Sequence, residues 1–96
     1  MFTVFVLFKV ALAEKDRFID ALAEAARNTR NESGNHFYDF SENEDNPEEI
    51  FLFEGYSTRD DFEIHRNAEY MAVFREAVSG CFLEPPKIIR GNQLAR

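Results

Sequence analysis

The chain has a single cysteine, Cys81, and no tryptophan. One cysteine excludes an internal disulfide framework and a cysteine-based zinc site. Between Gly80 and Phe82 it reads as a small core residue. No apolar run approaches the roughly 20 residues of a membrane span. The stretch Phe2–Val10 lacks a basic start and flows into a charged segment, so it does not read as a signal peptide. Cations are scarce: 11 Lys and Arg stand against 18 Asp and Glu, a net charge of −7. That balance speaks against binding nucleic acid or an anionic membrane, both of which need a basic footprint. Glycine-rich phosphate loops and serine or cysteine nucleophile motifs are missing. Only two histidines are present, His36 and His65. With so few ligands and no nucleotide motif, no metal, flavin or haem cofactor is expected. A single domain over residues 1–96 is expected, cytoplasmic, with neither nucleic acid nor membrane as partner.

Phenylalanine is abundant: 11 of the 96 residues. Phe2–Val10 predicts a strand with Phe2, Val4, Val6, Phe8 and Val10 on one face and Phe5 and Leu7 on the other, so both faces call for cover. Glu14–Glu32 predicts a helix, with Phe18, Ile19, Leu22, Ala26 and Thr29 as its apolar stripe and Gly34 as its stop. His36–Ser41 and Ile50–Tyr56 predict two strands joined by a polar loop, Glu42–Glu49. Thr58 and Asp61 form a capping-box-like start for a short helix Arg59–Arg66. Asn67 is expected to cap a second helix, Ala68–Ser79, with a stripe of Tyr70, Val73, Phe74, Ala77 and Val78 and a stop at Gly80. After Pro85-Pro86, Lys87–Leu94 predicts a last strand, the prolines marking its entrance or an edge.

The order β-α-β-β-α-β is that of the split βαβ, ferredoxin-like α+β fold: a four-stranded antiparallel sheet with helices on one face. The other face then needs an occupant. A second copy of the same sheet is the simplest one, so a homodimer is expected.

Few residues carry chemistry. His65 lies three residues after Phe62, hence on the same inward face of the short helix, where an imidazole can exchange a proton near neutral pH. The alternative is a buried histidine satisfied by backbone. Glu54 sits in an otherwise apolar strand, where desolvation would raise its pKa and fit it for acid or base work. The alternative is an ion pair with a cation on the neighbouring strand, such as Lys9. Tyr38, Tyr56 and Tyr70 are either core residues or donors into an apolar pocket of the kind that takes small molecules. His65 and Glu69 have the spacing of a metal pair only on an unbroken helix, which Asn67 interrupts. The acidic run Glu42–Glu49 has neither the glycine nor the ligand spacing of a calcium loop.

Glu32-Ser33-Gly34-Asn35, Phe37-Tyr38-Asp39, the strand Ile50–Glu54 ending in Gly55-Tyr56, and Asp61-Phe62 with His65 together resemble the antibiotic-biosynthesis monooxygenase (ABM) family. The resemblance implies a dimeric α+β barrel with one pocket per subunit. It implies oxidation of a small quinol-like or aromatic substrate by O₂ without a cofactor. By the same resemblance His65 and Glu54 are the catalytic pair, and Asn35 and Tyr38 hold the substrate; Tyr56, Tyr70 and the inward Phe62 are expected to line the same site. Tyr56 stands where many members have Trp, and Tyr70 where many have a second His. Gly34-Asn35 and Tyr56 look closer to the branch that isomerises phosphorylated autoinducer-2, and a non-catalytic small-molecule-binding dimer is a third reading. Helix residues 68–80 hold no histidine for a haem ligand.

Overall fold

The computed structural model describes residues 1–95. Four strands form one antiparallel sheet in the order β2-β3-β1-β4: β1 is Phe2–Val10, β2 Asn35–Asn43, β3 Asn46–Tyr56 and β4 Phe82–Asn92. Three helices, α1 (Lys15–Arg30), α2 (Arg59–Arg66) and α3 (Glu69–Ala77), connect them. Each helical connection skips one strand position: β3 lies between β1 and β2, and β1 between β3 and β4. This is the expected ferredoxin-like α+β fold. No helix among the described residues is long and apolar enough to cross a membrane.

Strand β1 organises the core. Phe2, Val4, Val6, Phe8 and Val10 are all buried beneath the helices, while the alternate residues Thr3, Phe5, Leu7 and Lys9 are only half-buried on the opposite face. The ladder carries this division across the sheet, because directly paired residues share a face. Val4 pairs with Glu54 and Val6 with Leu52 on the helix side, and Phe5 pairs with Phe53 on the outer side. From α1, Phe18 meets Phe8 edge-on at 4.9 Å, and Leu22, Ala25, Ala26 and Thr29 are buried with it.

Several local expectations are corrected. A 3-10 turn, Leu12–Glu14, precedes α1, which ends at Arg30 rather than Glu32. Gly34 is no left-handed stop; the one positive φ among the described residues is at Gly80, 82°. Instead α1 ends in tight backbone turns, Asn31 N–H to Asn28 O and Glu32 N–H to Thr29 O. Gly34 is needed for close approach: a Cβ there would lie 2.6 Å from Asp61 Cβ on α2. The acidic segment is not a long loop. Strands β2 and β3 run on to an Asn43–Asn46 pair, leaving only Glu44-Asp45 at the tip. Asn43 Oδ1 accepts from Asp45 N–H and Asn46 Oδ1 from Glu48 N–H, the local bonding that lets asparagine turn a chain. Ala68, not Asn67, caps α3; the Asn67 amide instead donates to Glu63 O at the end of α2. The buried face of α3 is Met71 and Phe74, continued by Val78, while Val73 and Ala77 are exposed. Strand β4 begins at Phe82, so Pro85-Pro86 lie inside it. They are tolerated because β4 is an edge strand whose pairing with β1 slips between Leu7 and Lys9.

The outer face carries Phe5, Phe51 and Phe53 in mutual contact, with ring centroids 5.2 to 6.4 Å apart. Phe37 lies against Gly55, and Ile89 pairs with Phe5 on the same side. Phe53 is 46% and Ile89 52% exposed. Such a patch is unfavourable in water. We propose that a second copy covers it. Light scattering on the eluting protein at micromolar concentration should give twice the 11.2 kDa chain mass. Phe53→Glu, which puts a charge at the centre of the patch, should give folded monomer. A wild-type monomer would refute the proposal.

Candidate active site

Helix α2 is short and polar, and two features hold it in place. The Thr58 hydroxyl accepts the Asp61 N–H at 3.2 Å, and Asp60 and Asp61 in the first turn suit the positive end of the helix dipole. Its two inward residues are Phe62 and His65. Phe62 packs between Phe2 (5.4 Å) and Tyr56 (5.5 Å), which brings His65 down onto the sheet.

There the imidazole, 2% exposed, lies between two carboxylates. Its Nδ1 is 3.2 Å from Glu32 Oε2 and its Nε2 3.5 Å from Glu54 Oε1. The same Glu54 oxygen accepts the Tyr56 hydroxyl at 2.6 Å. The rings of Tyr38, Tyr56 and Tyr70 surround His65 at 5.3 to 6.3 Å. Two open alternatives are thereby decided. His65 meets carboxylates, not backbone. Lys9 is not Glu54's partner; it lies on the outer face with Glu49 (3.6 Å) and Glu84 (3.5 Å).

A cavity of about 460 Å³ opens over this row, within the usual range for small-molecule sites. Its walls are apolar, with Val4, Val6, Met71, Phe74 and Ile88 among them. Ile88 pairs with Val6 on the helix side yet is 51% exposed, because the helices leave the β4 edge uncovered. Glu54, His65, Tyr38 and Phe62 reach the cavity, as do three arginines, Arg66, Arg75 and Arg90.

The other expected site residues fall behind the wall. Asn35 does not reach the cavity: its amide donates to Phe37 O (3.0 Å) and Gly55 O (3.3 Å), tying β2 to β3. Tyr56 supports Glu54 from beneath. Tyr70 is half-buried, 3.5 Å from the Thr29 hydroxyl, and also off the cavity wall. His65 and Glu69 fall on separate helices, which disposes of the metal pair.

Glu32 was not anticipated at the site. Helical spacing carries one step past the stripe's last residue, Thr29, to Glu32 on the same face. A carboxylate at the negative end of a helix dipole is also unfavourable without a purpose. Both signals were available in the sequence.

Burial dominates the proton affinities. It lowers His65 to about 4, and the charge of Arg75 pushes the same way. Proton exchange near neutral pH is expected of an inward imidazole; here desolvation wins, and the ring is neutral at pH 7. Burial raises Glu54 to about 7, against the Tyr56 hydrogen bond that lowers it, and the charge of Glu32 adds to the rise. Glu32 is likewise raised to about 7, by burial first and Asp61 second. The Tyr38 and Tyr56 phenols are pushed up by burial and then by Glu54, so both remain neutral donors. Each carboxylate stands within 3.5 Å of the imidazole, so a change of charge at one group of the row is felt by its neighbours.

Because Glu54's pKa in the fold, about 7, exceeds the ordinary 4.5 of an exposed glutamate, its ionisation opposes folding. This cost is absent below about pH 4.5 and grows as pH rises through 7. Glu54→Gln keeps an acceptor for Tyr56 and removes the titration. Relative to wild type it should therefore gain roughly 2–3 kcal/mol of stability between pH 5 and pH 8. Urea unfolding of both proteins across that range measures the difference; a constant difference would contradict a desolvated carboxyl.

Comparison with known proteins bears on this geometry. The family model for antibiotic biosynthesis monooxygenase matches residues 1–77. Among solved structures, a candidate antibiotic biosynthesis monooxygenase from Nitrosomonas europaea is 25% identical, over 99% of this chain and 100% of its own, with a TM-score of 0.94. Rv0793 from Mycobacterium tuberculosis is 24% identical over 99% and 96% of the two chains, with a TM-score of 0.93. A candidate monooxygenase of the same description from Caulobacter crescentus is 19% identical over 98% and 90%, also at 0.93. Comparison with curated proteins gave no match. The family match over residues 1–77 and the full-length likeness of fold have one conclusion: the chain belongs to the antibiotic biosynthesis monooxygenase family.

Proposed function

We propose that this protein is a cofactor-independent monooxygenase that oxidises a small quinol-like or aromatic substrate with O₂ in the cavity above His65. The observation that carries the reading is the buried row Glu32–His65–Glu54 opening onto an apolar cavity, in a chain of this family.

Such a substrate becomes reactive toward O₂ when it loses a proton and turns electron-rich. One oxygen atom then replaces two hydrogens on the substrate, and the other leaves as water. The substrate supplies the electrons. The protein's tasks are to take the first proton, to hold the anion and to exclude water. Glu32, the closer carboxylate, takes the Nδ1–H of the neutral ring, so Nε2 faces Glu54 and the cavity as the base. A proton arriving there is stabilised by carboxylates on both sides. Glu54 is near half-protonation at neutral pH and can relay the proton onward. Tyr38, a neutral donor on the wall, suits the developing phenolate oxygen. Tyr56 orients Glu54, and Phe62 forms part of the apolar wall.

The same acid–base row could instead move a proton beside a carbonyl, which is isomerisation. Oxygen consumption separates the two. An oxygen electrode, with a panel of naphthohydroquinones and anthrone, should record enzyme-dependent uptake above the spontaneous rate. His65→Ala should lose about 10²–10⁴-fold of it, and the variant should keep the wild-type mass and circular dichroism. Substrate conversion without oxygen uptake would favour the isomerase. Saturable binding with no turnover of any kind would leave a binding protein. Near-wild-type uptake by His65→Ala would remove the histidine from the role of base.

A further inference from the structure

The cavity is lined by charged groups of both signs. Glu54 faces it from the sheet, and Glu32 lies behind His65. The rest of its lining adds three cations, Arg66 at the end of α2, Arg75 on α3 and Arg90 on β4. Two consecutive helices and the last strand thus bring arginine to one cavity, in a chain whose acids outnumber its bases.

These arginines differ from most others. Lys9, Lys15, Arg17, Arg27, Arg30 and Arg59 each face a carboxylate on the surface. Among the described residues, Arg75 and Arg90 have none within 4.0 Å, and Arg66 has only Glu63, at 3.5 Å. Yet they are held in place. The Arg90 guanidinium stands 5.6 Å over the Phe62 ring, and Arg75 Nη2 donates to the Arg66 carbonyl at 3.3 Å. Two positioned guanidinium groups without carboxylates, beside an apolar cavity, form a receptor for a planar anion.

We propose that the ligand of this cavity has an apolar ring body and one anionic group, a carboxylate or a phosphate, which Arg75 and Arg90 hold with help from Arg66. The proposal rests on the cavity's being the substrate site. It also sets the ligand's orientation. The carboxylate of Glu54 repels the anion, so the anionic end stays among the arginines and the uncharged end lies toward Glu54. A bound anion also offsets the push of Arg75 on His65, so that binding strengthens the base.

The test uses three probes of one shape: 1-naphthoate, 1-naphthyl phosphate and the uncharged naphthalene-1-carboxamide. Each is titrated calorimetrically into the full-length protein at pH 7.5. At least one anion should bind about tenfold or more tightly than the amide, the tighter of the two identifying the anionic group. Arg75→Gln and Arg90→Gln should each weaken that anion by about 3- to 10-fold, the effect of one charge-assisted contact partly screened by solvent. Amide binding should stay within about twofold of wild type. Added salt should weaken the anion and spare the amide. Arg27→Gln, on the far side of α1, should change neither. If the amide binds as tightly as both anions, or the arginine variants weaken all probes alike, the anion proposal falls and the cavity reading stands. If none of the three binds, the cavity reading falls and the proposal with it.

Discussion

The site depends on one costly arrangement: an imidazole and two carboxylates withdrawn from water. Isolated, any of these groups would be expensive to bury in its charged form. Together they face one another, and among the described residues no buried side-chain nitrogen or oxygen is left without a hydrogen-bond partner. The fold meets this cost by converging three elements. The turn after α1 brings Glu32, β3 brings Glu54, and the capped start of α2 sets the height of His65. Gly34 allows that convergence, since a Cβ would collide with Asp61 and push the turn away from α2.

How much of this was legible in the sequence varies by element, and the reasons are physical. Strand β1 and helix α2 were read at their observed boundaries, because alternation in one and the Thr58 cap in the other act locally. His65 was placed inward by its spacing from Phe62, and Glu54 by the apolar strand around it; both lie where that logic puts them. The hairpin misled because acidity was read as loop. Strands extend through charged residues when the asparagines at Asn43 and Asn46 supply a tight turn. The stripe of α3 was off by part of a turn, since Val73 and Met71 are both apolar and only tertiary packing selects Met71. Asn35 and Tyr70 carried polar groups that backbone and Thr29 absorb, which no spacing rule reveals.

The sheet's alternation connects the two faces of the molecule. On β3, Leu52, Glu54 and Tyr56 build the site, while Phe51 and Phe53 build the outer patch. A one-residue slip of β3 against β1 would put Glu54 on the outer face and a phenylalanine beneath His65. The outer aromatics therefore do more than await a partner. Their packing on Phe5 is incompatible with the slipped register, so the patch and the site stabilise the same alignment.

Charge is also arranged at two scales. At long range a chain with a net charge of −7 repels anions. Salt at physiological strength screens that field within about 8 Å, so a ligand at the cavity responds mainly to what lies nearest. Nearest are Arg66, Arg75 and Arg90, and beside them a neutral imidazole between carboxyls that are partly protonated near pH 7. The same burial that suppresses the imidazolium keeps those carboxyls from repelling an electron-rich ligand at full strength. Desolvation thus sets the proton affinity of the row and, through it, the field that a bound molecule meets in the cavity.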